Sequence, residues 1–179
     1  MIDILGADHI DEHREVLAIL QSLDYPTDHI RGIIYQFVTL VRDGKPVKMS
    51  TRRAEYVTLD ELLEEVGSDV ARFFFLCRKA DTHLEFDLEL AKKESQENPV
   101  YYVQYAHARL AGIFRTAAEA GFSAEDIQKS PIDLLHTESL RLGKKILSFG
   151  DVLESCLTDL EVTGLLWYLR ELAESFHHF

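Results

Sequence analysis

Side chains suited to a β-strand are gathered in the first third of this 179-residue chain, and that asymmetry limits its fold more than any other feature. Ile33 to Val41 carries Ile33, Ile34, Tyr35, Phe37, Val38, Thr39 and Val41, the β-branched and aromatic composition of one strand. Asp43-Gly44 then reads as a turn. From about Ser50 onward the apolar residues recur at helical spacing, and no strand signal appears. The chain thus changes class along its length: helix and strand before about Ser50, a connecting region from Thr51 to about Asp87, and continuous helix beyond it. Two domains are implied.

Local punctuation places the helices. Val16, Leu17, Ile19, Leu20 and Leu23 make an amphipathic stripe over Glu12 to Leu23. Thr58-Leu59-Asp60-Glu61 is a capping box, closed downstream by Gly67. Ser68 is placed to cap a helix whose Val70, Ala71, Phe73, Phe74 and Leu76 form a packing surface. Asp81 to Phe86 interrupts the pattern, and Asp87 can cap a further helix through Ser95. Asn98 and Pro99 open a long helix with Val103, Ala106, Leu110, Ile113, Phe114 and Ala117 on one side, and Gly121 lies just beyond its end. Helices are expected from Thr137 to Cys156, with a break near Gly150, and from Thr163 to the terminus. Leu165, Leu166, Leu169, Leu172, Ala173 and Phe176 mark the buried stripe of the last one. Neither end reads as finished, since a parallel strand needs neighbours and the final aromatic stripe still runs at Phe179.

Charge narrows the partners. A net charge of -12 argues against generic nucleic-acid affinity, and no DNA partner is expected. Its distribution is uneven. Arg42 to Arg53 holds five bases (Arg42, Lys45, Lys48, Arg52, Arg53) against Asp43 alone, and Asn98 to Ala118 holds no acid at all. No apolar run approaches the ~20 residues of a membrane span. A cytoplasmic location without membrane contact is therefore expected. Cys77 and Cys156 are isolated on apolar faces and read as reduced thiols rather than a disulfide or a metal site.

Three stretches could carry chemistry. In Lys48-Met49-Ser50-Thr51-Arg52, Lys48 offers a point charge, Ser50 and Thr51 offer hydroxyls, and Arg52 offers a fork to an oxyanion; the same composition also suits a solvated turn. Gly6-Ala7-Asp8-His9 sits between an expected strand end and a helix, where open α/β sheets place ligands. It reads as a helix cap, as a nucleotide contact through Asp8 and His9, or, with Glu12 and His13, as a metal pair whose order is not that of the zinc-protease motif. Asn98 to Arg115 combines Tyr101, Tyr102, Tyr105, His107, Arg109 and Arg115, which suits either bundle packing or stacking of unpaired RNA bases. No nucleophile–His–acid triad, phosphate-binding glycine loop or CxxC pair is present, and His29, His83, His107, His136, His177 and His178 form no ligand spacing.

The order of these strings resembles one family. Gly6-Ala7-Asp8-His9, Lys48-Met49-Ser50, Val57-Thr58-Leu59-Asp60-Glu61-Leu62-Leu63, Ala71-Arg72-Phe73-Phe74-Phe75-Leu76, Phe86-Asp87-Leu88 and Asn98-Pro99-Val100-Tyr101-Tyr102-Val103-Gln104-Tyr105-Ala106-His107-Ala108-Arg109 together look like a bacterial arginyl-tRNA synthetase, a class I enzyme. The resemblance runs over essentially the whole chain. It implies a mainly α fold in which a C-terminal remnant of an α/β, Rossmann-like catalytic domain (1–50) is followed by a connecting helical region (51–86). An all-α helical-bundle anticodon-binding domain (87–179), incomplete at its C-terminus, would come next.

By the same resemblance, Lys48, Met49 and Ser50 belong to the signature loop that closes on ATP, with Lys48, Ser50 and Arg52 catalytic. Gly6, Asp8 and His9 lie near the adenosine. Asn98, Tyr102, Tyr105, His107 and Arg109 lie nearest tRNA. ATP with Mg is a substrate, no prosthetic group or resident metal is expected, and the partners are tRNA(Arg), arginine and ATP. Thr51 stands where many class I enzymes carry a second Lys. The His-Ile-Gly-His-type motif is absent from the chain, so the implied activity, arginine–tRNA ligation, belongs to a longer parent, and this chain alone is expected to be inactive. Two other readings stand beside it: a free-standing tRNA-binding or regulatory module without catalysis, and a helical interaction protein with a vestigial loop.

Overall fold

The computed structural model describes residues 1–47, 57–129 and 136–179. The chain divides into two compact units, Met1–Glu89 and Leu90–Phe179.

The first unit opens with a βαβ arrangement. Strand β1 (Ile2–Gly6) passes through a short 3-10 turn, Ala7–His9, into helix α1 (Ile10–Ser22), and β2 (Arg31–Tyr35) returns parallel to β1. A parallel pair cannot be joined by a tight turn, so the helix is the crossover. Register pairs Ile4 with Ile33 and Gly6 with Tyr35. Ile10, His13, Leu17 and Leu20 of α1 are half-buried, whereas Val16, Ile19 and Leu23, together with Ile2 and Ile4 of β1, are exposed.

The single strand expected over Ile33 to Val41 is two strands in two sheets. After Tyr35 the N–H of Gln36 donates to Ala80 O at 2.7 Å, and the chain re-enters β structure as β3 (Val38–Arg42). Strand β3 pairs antiparallel with β4 (Lys45–Pro46) and parallel with β5 (Leu84–Asp87), giving the order β4-β3-β5. Composition marks both halves as β and is silent on where a chain changes partner. The tight turn between β3 and β4 is as expected: Asp43 and Gly44 have φ of 52° and 70°, the left-handed pair that a two-residue hairpin requires.

Strand β5 corrects the expectation that strands end in the first third. Its alternation is legible once seen: Leu84 and Phe86 are buried while Glu85 is exposed. Phe86 is fully buried, with its ring 5.2 Å from that of Phe74 and 5.5 Å from that of Phe75. Those phenylalanines come from α3 (Ser68–Leu76), which follows α2 (Leu59–Val66). The α2 capping box forms in full: Thr58 Oγ1 accepts from the Glu61 N–H at 3.1 Å and the Thr58 N–H donates to Glu61 Oε2 at 2.8 Å. Gly67, at φ 83°, ends α2 and itself holds the cap position of α3. Ser68 is therefore the first helical residue rather than the cap. Helix α4 (Leu88–Lys92) is shorter than expected, although Asp87 Oδ1 does accept from the Glu89 N–H.

The second unit is helical throughout its described residues. Helix α5 (Pro99–Glu119) starts at the Asn98 cap, and Gly121 follows its end at φ 87°. A short α6 (Ala124–Lys129), which sequence reading did not mark, precedes α7 (Thr137–Leu147), α8 (Phe149–Asp159) and α9 (Thr163–His178). The break expected near Gly150 falls at Ser148 instead, and the Ser148 hydroxyl donates to Lys145 O at the corner. At the next corner the backbone N–H and hydroxyl of Thr163 both donate to Glu161 Oε1, at 3.1 and 2.6 Å. Helix α9 packs against α5, α7 and α8, and its Leu166, Tyr168 and Ala173 are buried. Cys77 and Cys156 are half-buried thiols that are not joined in a disulfide. Among the described residues no helix is long and apolar enough to cross a membrane.

Candidate functional site

Two places bring the sequence-marked residues together, one in each unit. At the end of β1, a side chain on Gly6 would meet Asp8 Oδ1 at 2.5 Å, so only glycine lets the Asp8 carboxylate fold back over the strand end. The His9 ring stands between two carboxylates, Nδ1 at 2.6 Å from Glu12 Oε2 and Nε2 at 3.5 Å from Asp8 Oδ2. The hydrogen bond to Glu12 and the charges of Asp8 and Glu12 raise the His9 pKa above the ordinary 6.5. Neither Gly6 nor His9 makes a side-chain cap bond, so the simple cap reading is not how these residues act. Register puts Tyr35 at the same strand end, half exposed beside Gly6; sequence reading missed it because only pairing brings it there.

His13 serves the fold instead. It lies 3.7 Å from Asp3 on β1, and a side chain at Gly32 on β2 would strike its ring at 2.7 Å. Among the described residues, no group of three or more His, Cys, Asp or Glu is arranged to hold a metal. Lys48, Met49, Ser50 and Arg52, the signature-loop residues, lie outside the described residues.

The second place is the α5–α9 face. Tyr102, Tyr105 and Arg109 stand at three- and four-residue spacing and so share one side of α5. All three converge on His177 of α9. The Tyr102 ring meets it edge-on at 4.9 Å and the Tyr105 ring lies at 5.5 Å. Arg109 Nη1 donates to His177 O at 3.2 Å and faces Nδ1 at 3.4 Å, with its guanidinium 5.4 Å from the centre of the Phe176 ring. A guanidinium only donates, so Nδ1 is the acceptor and the proton sits on Nε2, a buried atom with no partner among the described residues. Tyr105 stacks on Tyr101 at 6.3 Å and keeps an exposed face.

Beside this cluster a cleft of about 440 Å³ is lined by Gln96, Glu97, Pro99, Tyr102, Arg170 and Glu174. Burial raises the Tyr102 phenol pKa, the Glu174 carboxylate adds to the shift, and Arg170 opposes it. The hydroxyl is therefore a hydrogen-bond donor throughout the neutral range.

Two expected members leave the group. Asn98 is buried, and its amide is fully occupied: Nδ2 donates to Ala91 O and Lys93 O at 3.0 and 2.9 Å, and Oδ1 accepts from the Val100 N–H at 3.0 Å. No donor remains to offer an RNA, so its place is in the fold. His107, two residues from Tyr105, points around the far side of α5 and is exposed there. Phe176, His177, Arg170 and Glu174 were missed. Their sequence shows only an amphipathic helix, and packing alone reveals which side meets α5.

A helical unit with an aromatic and cationic face, following a βαβ unit in the chain, has the build of an anticodon-binding segment of an aminoacyl-tRNA synthetase, and residues 103–179 match the DALR anticodon binding domain family. The whole chain is 49% identical to part of the arginine–tRNA ligase of Salinibacter ruber and 47% identical to part of that of Desulfotalea psychrophila. It spans about a third of the length of these curated relatives, 32% and 33%. A crystal structure from Campylobacter jejuni described as an arginyl-tRNA synthetase superposes with a TM-score of 0.87 at 35% identity, covering 99% of this chain and 38% of that one. The chain belongs to the arginyl-tRNA synthetase family.

Proposed function

We propose that this chain is the part of an arginyl-tRNA synthetase that holds the anticodon arm of tRNA(Arg) and carries the loop that closes on ATP. In the parent, ATP, arginine and tRNA(Arg) yield arginyl-tRNA, AMP and pyrophosphate, with Mg accompanying ATP as part of the substrate. The observation that carries the reading is the convergence of Tyr102, Tyr105 and Arg109 on His177, on a helix free of acids over Asn98 to Ala118. Exposed aromatic faces stack on unpaired bases, and a fixed guanidinium beside them meets the phosphate that follows. The adjacent cleft, with Tyr102 on its wall, is large enough to take an extruded base.

In the first unit, Gly6, Asp8 and His9 are proposed to contact the adenosine. A bare strand end, a carboxylate and an imidazole meet there at the start of a helix, the usual ligand position of a βαβ unit. Lys48, Met49, Ser50 and Arg52 would neutralise the triphosphate as charge grows on the leaving pyrophosphate. The domain limits we propose are 1–50, 51–86 and 87–179. The cytoplasm, where translation takes place, is the proposed location.

The test is a titration of the chain with an RNA hairpin copying the anticodon stem and loop of tRNA(Arg), followed by NMR. Salt-sensitive shifts centred on Tyr102, Tyr105 and Arg109 are expected. An unchanged α5–α9 face at saturating hairpin would remove the reading.

A further inference from the structure

A second cleft, of about 420 Å³, lies between α7 and α9 and is lined by Arg141, Lys144, Lys145, Ser148, Glu171, Glu174 and Ser175. We propose that it is a phosphate-backbone site that continues the RNA path leading away from Tyr102 and Tyr105. The inference rests on the reading of the α5–α9 face as an RNA grip.

Three observations carry it. The first is charge. Leu90 to Phe179 holds nine Lys and Arg against thirteen Asp and Glu, so a basic patch there runs against the average. Within the cleft, Lys145 and Glu171 are paired to each other, and the Lys145 ammonium rests 5.1 Å from the centre of the Tyr168 ring. That leaves Arg141 and Lys144, both exposed, against Glu174 alone.

The second is geometry. Arg141 and Lys144 on α7 and Ser148 at its C-terminal cap recur at three- and four-residue spacing and form one stripe, facing Glu171, Glu174 and Ser175 on α9. Lysines in the last turn of a helix compensate its dipole. Lys145, held on α9, already supplies that compensation, and Arg141 stands six residues before the end at Leu147, beyond the dipole's reach.

The third is continuity. Glu174 lines this cleft and also the one walled by Tyr102, so the two clefts meet on a single residue of α9. Arg170, four residues earlier, supplies a cation on the Tyr102 side. A strand that stacks a base on Tyr102 or Tyr105 can pass over α9 and lay its next phosphates against Lys144 and Arg141. Such contacts position the strand without reading its bases.

The experiment compares the wild-type chain with the double variant Arg141→Gln, Lys144→Gln, using the same anticodon hairpin. Each phosphate contact contributes about 0.7–0.9 to the slope of log affinity against log salt. The double variant should therefore bind about tenfold more weakly near physiological salt, with the slope reduced by about 1.5. Its preference among loop bases should stay as in the wild type, and its thermal melt should show the fold intact. An unchanged affinity and slope in a wild-type-like fold overturn the site while leaving the Tyr102 and Tyr105 reading in place.

Should the wild-type chain bind no hairpin, the RNA-grip reading falls, and hexauridylate decides this cleft separately. Shifts confined to Arg141, Lys144 and their neighbours, lost in the double variant, uphold the backbone site, and their absence refutes it.

Discussion

The state of His9, at the strand-end site, depends on pH near neutrality. The hydrogen bond that the His9 ring donates to Glu12, with the charges of Asp8 and Glu12, favours its protonated form, so its folded pKa lies above the unfolded value of 6.5. The stabilisation is therefore fully present below pH 6.5 and is lost as the pH rises through the folded pKa. Because the ring is exposed, the effect on stability is small, and the direct measurement is an NMR titration of the His9 ring. Its midpoint should lie above 6.5, and Glu12→Gln should bring it down; a wild-type midpoint at or below 6.5 would contradict the geometry. Tyr105 is tested differently, since it is half exposed and its ring meets those of Tyr101 and His177. Tyr105→Ala should weaken hairpin binding by about 1–3 kcal/mol, the range for a base–aromatic stack. Its urea midpoint should barely move. A large stability loss with unchanged RNA affinity would make Tyr105 a packing residue.

At the level of elements, α5 is where reading and structure agree most closely, because its signals are local. Asn98 caps, Pro99 occupies the first turn, and Gly121 supplies the positive φ beyond the end. The Asn98 cap does more than a surface cap, since its amide also ties α5 to the Ala91 and Lys93 carbonyls. Asn98→Ala should therefore cost about 2–4 kcal/mol in denaturant unfolding, a lost cap plus orphaned buried groups. Thr58→Ala, at a box exposed to water, should cost about 1 kcal/mol. Equal losses at the two positions would show that the Asn98 network adds nothing. The elements that escaped the sequence are those fixed from a distance. Ile33 to Val41 has one composition but two sets of partners, and the switch at Gln36 depends on Ala80. Leu84 to Asp87 is too short to signal a strand until β3 is beside it. The role of His177 follows from the side of α9 that meets α5, which no spacing on α9 alone specifies.

On the scale of the molecule, the exposed apolar surfaces and the relatives' length point the same way. Ile2 and Ile4 face outward from a two-stranded parallel sheet, and Val16, Ile19 and Leu23 form an exposed stripe on α1. Parallel sheets are ordinarily covered on both faces, and the curated relatives have about twice as much chain again beyond the matched part. We take the βαβ unit to be one edge of a larger catalytic domain whose other part supplies the arginine pocket. Aligning two reactants contributes as much as about 7–11 kcal/mol of a barrier, which one wall of a site cannot provide by itself. The purified chain should accordingly show no arginine-dependent exchange of pyrophosphate into ATP, whereas the full-length parent should exchange readily. In that parent, Lys48→Ala should slow exchange by about 100-fold or more while leaving hairpin binding unchanged, because a charge aimed at the leaving pyrophosphate acts in the transition state. Exchange by the isolated chain would mean that the ATP and arginine sites both lie within these residues. A parent whose exchange ignored Lys48→Ala would move the phosphate contact elsewhere in the enzyme, and the basic loop would then have to be explained by the tRNA instead.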